Sequence, residues 1–235
     1  MRTAVYMGTR NVYCDMVPAL KSLLLNTDVE KVYFLIEDDV FPEYLPPCVE
    51  IINVSGQKFF KPDSPNYNSP WTYMTMMKGA LSKILKEDIV LALDFDAFFV
   101  KDIGSELWDI DLNGYYYAGV TEYKKQGFRQ PYINFGVVLF NLKKIREDGI
   151  DNDVIHSLNT EYTFANEQDA MNRLCFRQAK TIPSRYNSNN YTEPCADPAV
   201  IHFAGVGERF PWSGQRWQDF PIVEHFRQLD WKDIL

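Results

Sequence analysis

Asp94 and Asp96 stand one residue apart at the end of an apolar run, in the stretch IVLALDFDAFFV. A short apolar run stopped by a sharp polar break reads as a buried strand of a parallel sheet. In open α/β sheets, ligands sit at the carboxyl ends of such strands. Two carboxylates at the mouth of an apolar strand are costly unless something positive binds them, and a divalent cation with its preference for hard oxygen ligands is one answer. The plainer alternative, two aspartates that face water or cap a turn, stays open from this tripeptide alone. Asn134 and Gly136 interrupt a second apolar run, INFGVVLFNL. A glycine there permits close backbone approach and the asparagine can hydrogen-bond what approaches. A bulge with Asn134 bonded to backbone is equally consistent. His202 closes a third apolar run, just before AGVGERFPW. A core histidine bonded to backbone is the ordinary reading of a lone imidazole, but its place at a strand end before a Gly-rich turn points to a ligand. His156 and His225 have no such setting.

The elements that must position these residues follow from periodicity and turn chemistry. Residues 3–7 read as a first strand, broken by Gly8-Thr9-Arg10-Asn11, and 15–25 as a helix with Asp15 as its N-cap and Pro18 in the first turn. Strands are expected at 32–36 and 49–54, giving a βαβ start whose first loop faces the ligand edge. The Pro- and Asn-rich stretch 57–70 is a loop. A helix over 72–85 turns Met74, Met77, Leu81 and Leu85 to the core and sets Lys78 at the edge of that stripe. Further expectations are a helical turn at 103–108, a strand at 115–121, a polar flap at 122–131 and the strand 133–142. Helices follow at 143–158 and 166–176, strands at 179–183 and 200–203, and an irregular Asn-rich segment at 184–198. The helix 166–176 opens with Asn166-Glu167-Gln168-Asp169, an acidic first turn that the helix dipole favours without explaining the whole cluster.

Composition narrows the function. The 235 residues form one sizeable α/β unit, taken as a single domain over 1–235, and their 16 Phe, 14 Tyr and 5 Trp suit a large core with stacking surfaces. With 24 Lys and Arg against 32 Asp and Glu the net charge is −8, and no basic patch stands out, which disfavours nucleic acid as a partner. Cys14, Cys48, Cys175 and Cys195 form no C-x-x-C pair, so neither a zinc knuckle nor a disulfide framework is implied. No apolar run is long enough to span a bilayer and no export signal precedes the first strand, so a cytoplasmic chain without a transmembrane segment is the default.

The order and spacing of the Gly8–Tyr13 turn, the Thr75/Lys78 helix, LDFDAFFV, YINFGVVLFNLKK, NEQDAMN and VIHFAG…PW resemble the family 8 glycosyltransferases, the group of glycogenin and the bacterial lipooligosaccharide galactosyltransferases. The resemblance implies a Rossmann-like α/β domain with a mostly parallel mixed sheet (glycosyltransferase fold type A), a UDP-sugar donor, Mn²⁺, and retention of anomeric configuration. It places Asp94, Asp96 and His202 on the metal, and an imidazole beside two carboxylates is consistent with a transition ion rather than Mg²⁺ or Ca²⁺. It puts Met7, Thr9, Arg10 and Tyr13 on the uracil and ribose, with Tyr13 suited to stacking, Lys78 on the donor, and the Phe95 backbone on the ribose. Asn134 and Gly136 match the donor-sugar site, and Gly205 with a following Lys matches the diphosphate clamp.

The chain departs from the family pattern at three points. HFAGVGERFPW is two residues longer than the usual motif and has no Lys, leaving Arg209 as the natural replacement. Phe135 stands where Ser or Ala is usual, a ring that would restrict the donor sugar, and Glu167 stands where Asp is more common. No residue offers an unambiguous nucleophile; Gln168 and Glu167 are expected to line the reacting face while the diphosphate helps deprotonate the acceptor, a saccharide, glycolipid or protein. Two other functions share these residues. A haloacid-dehalogenase-like phosphatase also ends a strand in D-x-D, but needs Thr or Val where Phe98 stands. A non-catalytic sugar-nucleotide binder would keep the donor site and lose turnover.

Overall fold

Five-residue runs of buried apolar side chains make the centre of the sheet. Strand β1 (Thr3–Met7) is buried at every position, and β4 (Ile89–Leu93) at all but the first. Strands covered on both faces read as continuous apolar segments rather than alternating ones. The computed structural model describes residues 1–69, 71–123, 131–204 and 216–235. Within these, β2 (Lys31–Ile36), β3 (Val49–Asn53), β6 (Tyr117–Thr121), β7 (Ile133–Asn141) and β8 (Ala179–Thr181) complete a seven-stranded sheet in the order β3-β2-β1-β4-β7-β6-β8. β1 runs parallel to both β2 and β4, β2 to β3, and β6 to β8; β7 is antiparallel to both of its neighbours. This is the expected mostly parallel mixed sheet.

β1 lies between β2 and β4, so the strand order reverses at β1 and opens a crevice beyond the carboxyl ends of β1 and β4. The Gly8–Thr9 turn and Asp94 are the first residues past those ends. Alternate side chains feed two cores. Ala4, Tyr6, Leu91 and Leu93 pack on the face that carries α1 (Tyr13–Asn26). Val5, Met7, Val90 and Ala92 pack on the face that carries α2 (Thr72–Met76), α3 (Leu81–Ile84), α4 (Leu142–Asp148), α5 (Ile150–Thr160) and α6 (Asn166–Cys175). A small second sheet pairs β5 (Ala97–Phe99) with β9 (Val200–His202). The last helix, α7 (Pro221–Gln228), packs on α1, and Lys21 Nζ donates to the Leu229 carbonyl at 2.6 Å, holding a free acceptor just past its end.

Several boundaries differ from the periodic reading. α1 starts at Tyr13, so Asp15 lies inside its first turn and not at the N-cap. The expected continuous helix 72–85 is broken by a 3-10 segment, Met77–Ala80, between α2 and α3. The expected helix 143–158 is two helices, because Gly149 at φ +69° ends α4 in the left-handed conformation. Residues 103–108 form hydrogen-bonded turns and no helix, with Gly104 at φ +48°. Helix α7 carries no expectation from the sequence. The four cysteines are free, and among the described residues no helix is long and apolar enough to cross a membrane.

Candidate active site

Asp94 and Asp96 leave the end of β4 into a tight turn, where the Ala97 N–H donates to the Asp94 carbonyl at 3.2 Å. The chain then enters β5, and antiparallel pairing with β9 sets Ala97 opposite His202. The Phe203 N–H donates to the Asp96 carbonyl at 3.0 Å, which closes the ladder. The imidazole therefore reaches the two acids through backbone pairing between segments a hundred residues apart. His202 Nε2 lies 3.3 Å from Asp96 Oδ1 and 3.6 Å from Asp94 Oδ2. One ligand atom from each of the three residues falls within 4.8 Å of the others. The imidazole is buried and the carboxylates are partly open to solvent, so the cluster has a protein side and a solvent side.

The charges in this cluster hold one another. Burial acts to lower the His202 pKa, but the Asp96 and Asp94 carboxylates beside it together raise it. Burial acts to raise Asp96, and the facing imidazole, a backbone N–H and the Lys78 charge together lower it. Lys78 is buried, not at the edge of a helix face. The 3-10 winding of Met77–Ala80 turns its Nζ to Asp94 Oδ1 at 2.5 Å, the Phe135 carbonyl at 2.7 Å and Glu167 Oε1 at 3.9 Å. Lys78 thus occupies one oxygen of Asp94 and leaves the other, Oδ2, facing His202. Glu167, buried at the start of α6, is pushed up to about 8 by burial; Asp94 adds to the shift and Lys78 opposes it. A carboxyl with that pKa is largely protonated at neutral pH, a donor more than a nucleophile.

Asn134 and Gly136 belong to a bulge. Gly119 pairs with Val138 and Thr121 with Ile133, so residues 134–137 stand opposite Val120 alone. Side chains take over the backbone bonds that the β6 ladder would have made. Asn172 on α6 accepts from the Ile133 N–H at 2.6 Å and donates to its carbonyl at 2.8 Å. Gln168 Oε1 accepts from the Phe135 N–H at 2.8 Å, and Asn134 Oδ1 accepts from the Gly136 N–H at 3.1 Å. On the other side the Asp94 N–H donates to the Gly136 carbonyl at 2.9 Å. A Cβ built on Gly136 would overlap the His202 ring, so the glycine is what lets imidazole and strand touch. The bulge with Asn134 bonded to backbone is what the structure shows, and the group that comes close to the glycine is the His202 side chain of the same chain. Phe135 is the correction. Its ring is 2% exposed, edge-on to Tyr117 and Phe140 at 5.2 and 5.8 Å, so it fills the core and does not narrow a sugar site.

The remaining expected residues fall in two groups. Met7 is buried at the end of β1, and Thr9 begins the turn beyond it. Arg10 is exposed and pairs with Asp38 at 2.7 Å. Tyr13, expected to stack on a base, is 6% exposed, its ring 5.1 Å from Phe41 and its hydroxyl donating to Asp38 at 3.0 Å. That packing leaves little of the Tyr13 ring open. Phe95 lies between the two aspartates with its ring 6.1 Å from Trp217. Gly205 and Arg209, with Pro211 and Trp212, lie outside the described residues, as do 124–130 of the expected flap. Glu122, placed in that flap by the sequence, is buried and accepts from Asn134 Nδ2 at 2.8 Å and Gln168 Nε2 at 3.0 Å. Asn187 and Asn189 lie in the segment that reads as irregular, and no motif points to them; Asn187 Oδ1 lies 2.9 Å from His202 Nδ1. The one signal for them was the density of asparagine in that segment, which does not say where the amides point.

Two carboxylates and an imidazole converge on the crevice of a Rossmann-like sheet, which is the architecture of the type A glycosyltransferase fold. The chain belongs to glycosyl transferase family 8, whose family model matches residues 18–215. It is 24% identical to general stress protein A of Bacillus subtilis strain 168 over 82% of this chain and 80% of that protein. Its identity to the glycosyltransferase GlyF of Streptococcus pneumoniae is 23%, over all of this chain but 63% of GlyF. Among solved structures, an active-site mutant of LgtC superposes with a TM-score of 0.73 at 20% identity, covering 99% of this chain and 100% of LgtC. LgtC has also been solved in complex with donor and acceptor sugar analogs, with a TM-score of 0.69 to this chain at 19% identity, covering 99% and 100%.

Proposed function

We propose that this chain moves a hexose from a UDP-sugar to a saccharide, glycolipid or protein acceptor with retention of anomeric configuration, and that Asp94, Asp96 and His202 hold Mn²⁺. The observation that carries the proposal is the convergence of those three side chains, from strands far apart in sequence, on the crevice beyond β1 and β4. Their donor atoms fit a divalent transition ion. The set is mixed oxygen and nitrogen, Asp94 Oδ2 and His202 Nε2 face one another, and the carboxylates open to solvent, the side from which substrate oxygens would reach an ion held there. A bound divalent ion supplies compensation for the negative charge that gathers on the departing diphosphate.

The chain's own residues do the rest. Lys78 adds a fixed buried positive charge beside Asp94 and ties it to the bulge. Gln168, held at both ends of its amide by Phe135 N–H, Glu122 and Tyr132, gives the bulge a rigid border at the reacting face. Gly8 to Tyr13 and the acidic Glu37-Asp38-Asp39 turn that follows β2 border the side of the crevice that the proposal gives to the nucleotide. The sugar analogs bound by LgtC support a donor and an acceptor as the two substrates. The phosphatase reading loses its footing at Phe98, a fully buried core residue where a small polar or branched side chain would be required.

A panel of UDP-hexoses, read by released UDP with and without Mn²⁺, tests the proposal. Mn²⁺-dependent release, abolished in Asp96→Asn, is the expected result. Hydrolysis of small phosphate esters lost in Asp94→Asn would replace it with the phosphatase, and donor binding without turnover on any acceptor would replace it with a binding protein.

A further inference from the structure

The orientation of the His202 ring is dictated by backbone amides through two asparagines. A backbone N–H only donates, so the Asn134 atom 3.1 Å from Gly136 N is its oxygen. That oxygen also lies 2.8 Å from the Asn187 amide, and the Asn187 atom facing it must therefore be Nδ2. Asn187 then presents Oδ1 to His202 Nδ1 at 2.9 Å. A second route gives the same assignment. Tyr191 and Thr192 N–H groups fix Asn189 Oδ1 at 2.8 and 3.2 Å, so Asn189 turns its Nδ2 to Asn187 at 2.9 Å, again onto an oxygen. An oxygen opposite His202 Nδ1 requires that nitrogen to carry the hydrogen. In the neutral ring this leaves the lone pair on Nε2, the atom that faces Asp94 and Asp96.

We infer that Asn187 is a positioning residue for the metal centre, holding His202 as the Nδ1–H tautomer with the Nε2 lone pair aimed between the two aspartates. The inference rests on the metal reading proposed above. An unconstrained imidazole in water favours the opposite, Nε2–H, tautomer, which would point a hydrogen at the site where an ion must bind. Asn187 is fully buried and so is not free to turn to water, and its remaining amide hydrogen bond anchors it to the Asn134–Gly136 bulge. The ligand and the bulge that must pass close to it are thereby locked to one another. Partners that orient a ligating histidine typically matter 10–100-fold, on the order of one to two decades in metal affinity.

Two measurements on the full chain test this. The first is a long-range ¹H–¹⁵N NMR spectrum of the metal-free protein at a pH where the ring is neutral. The chain has only 3 histidines, so His202→Ala assigns the signal. The Nδ1–H pattern is expected for His202, and the Nε2–H pattern overturns the inference without any variant at Asn187 having to fold. The second is a Mn²⁺ titration followed by the EPR signal of the free ion. Asn187→Ala is expected to weaken binding by about 10–100-fold and to move the metal-free His202 spectrum toward the Nε2–H pattern, a readout that a loss of packing alone would not shift. Binding lost in His202→Ala but unmoved in Asn187→Ala overturns the inference alone. A wild-type chain that binds no Mn²⁺, or a His202→Ala variant that binds it unchanged, overturns the metal reading and this inference together.

Discussion

Glu167 sits one residue from Gln168 in sequence yet has the opposite character, a buried carboxyl whose nearest cation is 3.9 Å away. Its pKa rises from 4.5 to about 8 because burial outweighs Lys78, which also serves Asp94. Between those two values the folded chain keeps a proton that the unfolded chain has released. Stability from this group is therefore fully present below pH 4.5 and lost as pH rises to about 8. Replacing Glu167 with Gln keeps the shape and removes the titration. The variant should be less sensitive than wild type to a rise from about pH 5 to about pH 8.5, read from urea midpoints across that range. Identical pH slopes in the two proteins would show that Glu167 is ionised in the folded chain. Lys78 teaches a related lesson. The sequence put it one residue beyond an apolar stripe, and a straight helix would leave it there; the 3-10 segment rotates it inward onto Asp94.

The bulge in β7 is the element on which the site depends, because it replaces ladder hydrogen bonds with side chains from α6 and brings Gly136 against His202. Gly136→Ala should push the ring off its position. We expect a loss of about 1–3 kcal/mol from overpacking, read as a lowered urea midpoint, together with weaker Mn²⁺ binding. Unchanged binding would mean that the ring and the glycine do not constrain one another. Much of this element was legible beforehand. The apolar run, the Asn and the Gly named a strand with a defect, just as IVLALDFDAFFV named a strand ending in acids. The break at Gly149 was also written in the chain, as a glycine inside a helical pattern, and periodicity alone passed over it. What local pattern does not carry is the partner of each polar group. Glu122 and Asn187 look like loop residues in sequence and become buried hydrogen-bonding groups only when β6, β7 and the 184–198 segment meet. His202 was tied to Asp94 and Asp96 through family resemblance, since nothing in local sequence joins them.

Across the whole molecule, the C-terminal segment braces the turn that carries the acids and the strand that follows it. Trp217 is buried with its ring 6.1 Å from Phe95, 5.9 Å from Phe98 and 6.1 Å from Phe203, and so spans β5 and the end of β9. Trp217→Ala should cost about 3–5 kcal/mol, measured by urea unfolding; a loss below about 1 kcal/mol would show that β5 and β9 hold their pairing without it. The sheet reverses its strand order at β1, the small β5–β9 sheet carries the imidazole to the acids, and the amides of α6 and the 184–198 segment fix the rest. All of this converges on Asp94, Asp96 and His202, the three side chains to which the proposed function assigns a divalent ion and the donor diphosphate. The most direct measurement is calorimetric titration of UDP into the chain, once with Mn²⁺ and once after EDTA. UDP should bind with Mn²⁺, and the binding should vanish after EDTA and in Asp96→Asn. UDP binding of equal strength after EDTA would show that no metal bridges chain and nucleotide.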